Sequence, residues 1–168
     1  MKSGFPQVAV LAIAPAPRGF GFAAFDRHRR LVDWGAKEVR VDRNRGCIRR
    51  IEQIIRSHRP RMILIEDWRS PSCLRSQRTR ALLHDIAGLA VRNGAELATC
   101  SRANMQAATR GLGGRSKYDR ATALCGLFPE LRATLPRRRK PWEAERHGIA
   151  VFDAVAVAVA YFGDIVAG

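Results

Sequence analysis

Seven consecutive apolar residues, Val8-Ala9-Val10-Leu11-Ala12-Ile13-Ala14, leave the first strand of this chain no polar side to turn towards water. Side chains alternate across a strand, so a run that is apolar at every position must be covered on both faces. Pro15-Ala16-Pro17-Arg18-Gly19 reads as the turn that ends it. Phe20 to Phe25 and Arg30 to Gly35 resume as strands, and the chain opens with a three-stranded meander.

Helical periodicity follows. Ile48, Ile51, Ile54 and Ile55 recur at the spacing of one helix face, and Arg59-Pro60 stops them. Arg61 to Glu66 is a fourth strand, reached through a helix and so parallel to its neighbour. A long helix is expected over about Leu74 to Arg92, with Asn93-Gly94 as its stop. Ala95 to Cys100 is a fifth strand, and Ser101 caps a short helix. A basic, glycine-rich loop, Gly111 to Ser116, precedes a helix over Tyr118 to Phe128, and the last helix starts near Ile149. No repeat or linker divides the chain, so a single domain over residues 1–168 is expected, of the α/β class, with a mixed five-stranded sheet flanked by helices.

The formal charge is +15, with 30 basic against 15 acidic residues. Charge of that size must be solvated or neutralised, and the usual polyanion is nucleic acid. A membrane surface is the competing partner, but no Lys/Arg-rich amphipathic helix sets exposed Trp, Phe or Leu opposite its charges, and the apolar run from Ile149 is broken by Asp153 and Asp164. Cys47, Cys73, Cys100 and Cys125 lack the spacing of a zinc knuckle or a redox pair, and read as buried reduced thiols. With no hydrophobic leader over Met1 to Gln7, a cytoplasmic protein is expected.

Three segments carry the chemistry. Val10-Leu11-Ala12-Ile13-Ala14-Pro15 followed by Arg18-Gly19-Phe20-Gly21 resembles the opening strand and turn of the RuvC-like Holliday junction resolvases, of the ribonuclease H-like superfamily. Ile63-Leu64-Ile65-Glu66 resembles that family's second acidic motif, and Phe152-Asp153-Ala154-Val155-Ala156-Val157-Ala158 its last. The resemblance implies a metal-dependent endonuclease in which Ala14, Glu66 and Asp153 meet at one end of the sheet. Two divalent cations about 3.5–4 Å apart then activate water and stabilise the leaving oxygen. Magnesium or manganese would need carboxylates from rigid strand ends. The family's first-strand aspartate, which sits between the metals, corresponds here to Ala14, and another acidic position to Ala150. Two of four carboxylates are therefore missing, and metal binding is expected to be weak or lost. Asp67, Glu143 and Glu145 are the candidate substitutes, with Glu145 placed to fold back over the site.

The basic residues cluster around these segments. Arg137-Arg138-Arg139-Lys140 with Trp142 reads either as phosphate contacts beside a stacking ring or as a solvated run beside a core tryptophan. Arg18, Arg69, Arg115 and Lys117 complete the candidate nucleic-acid contacts. His147 is either a loop residue or the histidine that some RuvC-like enzymes place before the last helix. Trp68, with Leu82, Ile86 and Leu89, reads either as a homodimer interface or as core. Two functions remain: an impaired RuvC-like endonuclease, and a silent relative that binds branched or duplex DNA. A basic structural protein is the third.

Overall fold

The structure, a computed structural model, describes residues 7–111, 116–144 and 146–167. The apolar runs form one sheet from β1 (Val8–Ala16), β2 (Gly19–Asp26), β3 (Leu31–Glu38), β4 (Met62–Glu66) and β5 (Glu96–Cys100), in the order β3-β2-β1-β4-β5. β2 is antiparallel to β1 and β3, whereas β1, β4 and β5 are mutually parallel. Only the second strand opposes the rest, as the meander followed by helical crossovers predicts.

The sheet separates two apolar layers. Leu11, Ile13, Ile63 and Ile65 face α1 (Arg43–His58) and α2 (Gln77–Arg92). Ala12, Ala14, Leu64 and Cys100 face α5 (Ala150–Ala167), beside α3 (Arg102–Arg110) and α4 (Lys117–Leu127). Every residue of β1 from Leu11 to Pro15 is buried, which is what a strand with two apolar faces requires. The four cysteines are buried.

α5 depends on this packing. Its valines have only modest helix propensity, but its alanines let it lie close to the sheet. Gly21 is the contact point: a β-carbon there would sit 2.1 Å from the Ala150 carbonyl oxygen and 2.7 Å from the Val151 nitrogen. Glycine on β2 thus sets how near the first turn of α5 approaches, and that turn carries Asp153.

Two sequence expectations need correction. The first strand does not end before Pro15; it runs to Ala16, and the turn is Pro17-Arg18. The parallel ladder with β4 covers only Val10 to Ala12, so beyond it a residue without an N–H is tolerated on that side. The long helix begins at Gln77, not Leu74, because the Ser76 side chain accepts a hydrogen bond from the Thr79 amide and caps it. Of the two readings of Leu82, Ile86 and Leu89, the structure bears out the core, since all three are buried, with Trp68 half-buried against the same layer. No helix among the described residues is long and apolar enough to cross a membrane.

Candidate functional site

Register places the central residues side by side. The last parallel pair is Ala12 with Leu64, and two residues further along each strand stand Ala14 and Glu66. An interval of two keeps a side chain on its original face, so both point to the α5 side. Adjacent strands lie about 4.8 Å apart. Glu66 pairs in turn with Cys100 on β5, and so the row lies at the carboxyl ends of the parallel strands. Asp153, in the first turn of α5, completes the group. Glu66 and Asp153 line one cleft of about 240 Å³.

Each acid already has a cation. Glu66 is 3% exposed, and its Oε2 accepts a 2.7 Å hydrogen bond from Nε of Arg75. Nη1 of Arg75 also reaches the Pro15 carbonyl oxygen at 3.4 Å, so the guanidinium lies across the end of β1 beside Ala14. Asp153 Oδ2 is 3.3 Å from Nζ of Lys117, at the start of α4. Arg80 holds the loop that delivers Arg75, donating to the carbonyls of Cys73 (2.7 Å), Arg75 (3.2 Å) and Trp68 (3.4 Å).

The lining therefore favours anions. Among the described residues, Arg75, Arg102, Lys117 and Arg120 set four positive charges against two carboxylates. Ala14 sits in the apolar layer at 3% exposure and offers a methyl group where a bridging ligand would be needed. Ala150 is buried and equally inert. Among the described residues, no group of three or more His, Cys, Asp or Glu is placed to hold a metal ion. A pair of magnesium ions does not fit this donor set, because two carboxylates held by protein cations cannot neutralise two divalent charges.

Asp67 and Glu143 do not alter this. The Asp67 side chain accepts from the Arg69 amide and turns back into its own loop. Glu143 is absorbed by the basic run: Arg137 Nη2 and the Lys140 amide donate to its carboxylate at 3.2 and 3.0 Å. The Lys140 amide, against the opposing effect of burial, and the nearby Arg137, Arg146 and Arg139 hold that carboxyl below the usual carboxylate range. Glu145 and Arg115 lie outside the described residues, as does most of the glycine-rich loop, residues 112–115.

A second hollow, of about 500 Å³, adjoins the cleft through Lys117, which lines both. Its walls include Tyr118, Arg137, Arg138, Arg139 and Arg146. The Arg138 guanidinium stacks over the Tyr118 ring at 5.6 Å, and Lys140 lies 5.4 Å from the ring of Trp142. Trp142 is 78% exposed, so it is not the core tryptophan of the alternative reading. Arg18 pairs with Glu38, and Arg69 stacks on Trp68; neither lines the cleft or the hollow. His147 stands in the short 3-10 turn before α5 and lines neither. Sequence reasoning missed Arg102 and Tyr118 as lining residues, and it missed the Arg75 clamp.

No protein-family model matches the chain, and no curated protein matches it in sequence. Solved structures do. RuvC of T. thermophilus, in complex with a Holliday junction substrate, superposes with a TM-score of 0.63 at 15% identity, over 95% of either chain. The chain has a RuvC-like resolvase fold. The yeast mitochondrial Holliday junction resolvase Ydc2 superposes at 0.53 with 14% identity, covering 95% of this chain and 80% of that one. The fowlpox virus Holliday junction resolvase gives 0.53 at 13% identity, covering 93% and 98%. At such identities the likeness is one of fold, and the mixed five-stranded sheet flanked by helices is the ribonuclease H-like arrangement.

Proposed function

We propose that this chain is a cytoplasmic RuvC-like nucleic-acid-binding protein, one domain over residues 1–168, that holds branched or duplex DNA. Strand scission by it is impaired or absent. The observation that carries this reading is the cleft at Glu66 and Asp153, where cations outnumber carboxylates among the described residues and each acid is already paired. The fold supports DNA as the polyanion, since RuvC of T. thermophilus is seen with a Holliday junction in this architecture. The adjoining hollow supplies phosphate contacts through Arg137, Arg138 and Arg139, with Tyr118 and Trp142 as rings on which bases stack.

Fluorescence anisotropy with a labelled four-way junction and a matched duplex tests the reading. Affinity is expected to fall roughly tenfold or more between about 50 and 200 mM salt, as several arginines displace counterions. Replacing Arg137, Arg138 and Arg139 by alanine is expected to weaken binding on every sequence by a similar factor. Incubation with magnesium or manganese is expected to leave the junction intact. Unchanged affinity in the triple variant removes the basic run from the site, and robust cleavage of the junction overturns the impaired reading.

A further inference from the structure

Four features of the cleft act together. Arg75 lies between the end of β1 and the Glu66 carboxylate, touching both. Its side chain is still 30% exposed, and it lines the cleft. Lys117 stands in the same relation to Asp153 on the opposite wall, with 43% of its side chain exposed. Arg80 fixes the Arg75 loop through three carbonyls, which makes the arrangement a built one and not the chance fall of a long side chain.

A divalent cation between a carboxylate and a phosphate does one electrostatic job: it allows two anions to approach each other. A guanidinium or an ammonium does the same when it is held in place. We infer that Arg75 and Lys117 are built-in counter-ions, standing where the fold's cations would stand, and that the cleft binds the phosphodiester backbone without any metal. The inference rests on the nucleic-acid-binding reading above and specifies how that site takes its ligand. No bond is made or broken in it. The carboxylates then have an altered role, since Glu66 and Asp153 position the two cations and hold back part of their charge.

That role reverses the sign expected of a familiar variant. If the acids served as metal ligands, Glu66→Gln would weaken DNA binding in magnesium and do nothing in its absence. Here the isosteric change releases the Arg75 charge towards phosphate, so affinity rises. The log–log salt slope steepens by about 0.9 for one additional phosphate contact. The gain is several-fold at about 50 mM salt, and roughly threefold of it disappears by about 200 mM. Asp153→Asn is expected to act in the same direction through Lys117.

The experiment is anisotropy of the labelled four-way junction with the full chain and the two variants. It is run with chelator and with magnesium, at matched ionic strength. Equal wild-type affinity in the two buffers, tighter binding by Glu66→Gln and Asp153→Asn, and a steeper salt slope are the expected results. Binding that requires magnesium, or variants that bind no tighter than wild type, overturns the inference and leaves nucleic-acid binding standing. Failure of wild type to bind the junction in either buffer overturns both. Thermal melts of each variant, run alongside, show that the compared proteins are folded.

Discussion

Arg75→Ala is expected to cost about 3 kcal/mol of folding stability, an effect larger than most surface substitutions produce. The reason is Glu66, which is 3% exposed and pairs with Arg75 at 2.7 Å. Removing the guanidinium leaves a charge at the sheet end with no cation and little water. Two considerations set the size. Breaking a buried pair from one side typically costs about 3–5 kcal/mol, and the partial exposure of Arg75 places this pair at the lower end. For a chain of 168 residues, that corresponds to a melting point lower by roughly 6–12 °C. The double variant Arg75→Ala/Glu66→Gln removes both charges and is expected to recover at least about half of the loss, since a neutral amide tolerates the site better. Urea denaturation of wild type and both variants reads this directly. A single variant within about 0.5 kcal/mol of wild type would mean that Glu66 finds water or another cation, and that the clamp is not needed.

Gly21→Ala is the second large effect. Its β-carbon would meet the Ala150 carbonyl at 2.1 Å and the Val151 nitrogen at 2.7 Å, both backbone atoms with no rotamer to yield. Either β2 or the first turn of α5 must shift. Overpacking of this kind costs about 3 kcal/mol. It also displaces Asp153 from Lys117 and widens the cleft, so junction binding should weaken in the protein that does fold. Gly126→Ala is the control: nothing lies within 4 Å of an added β-carbon there, and it sits inside α4. Alanine at that place should raise stability by up to about 1 kcal/mol through helix propensity. Equal melting points for the two variants would show that the approach of α5 to β2 is looser than the contact implies.

These residues also mark how far the sequence could be read. The strands were legible because runs such as Val8 to Ala14 and Met62 to Ile65 admit one explanation, and the crossover helices then fixed their directions. The meeting of Glu66 and Asp153 was legible too, since one ends an apolar strand and the other opens an apolar helix. Pro15 was misread because a proline was treated as a terminator, whereas the ladder on one side of β1 had already ended at Ala12. Leu82, Ile86 and Leu89 were left between interface and core because a helical stripe shows that a face is apolar and not what covers it. The sequence puts Arg75 and Arg80 shortly after Glu66, beside the site, but does not show that Arg75 pairs with that acid. The clamp arises in an irregular loop, nine residues from Glu66, and depends on three carbonyls that Arg80 collects. The stacking of Arg138 on Tyr118 likewise joins two segments that only the fold brings together.

What remains is where the nucleic acid lies. A four-way junction carrying photoreactive thymidine analogues near its branch point, irradiated with the protein in chelator, places it by the peptides that become attached. Crosslinks to the segments around Arg102, Tyr118 and Trp142, formed without divalent metal and lost at high salt, are the result expected if this cleft and its adjoining hollow hold the DNA. Crosslinks confined to the opposite layer, on α1, or formed only after magnesium is added, would contradict it.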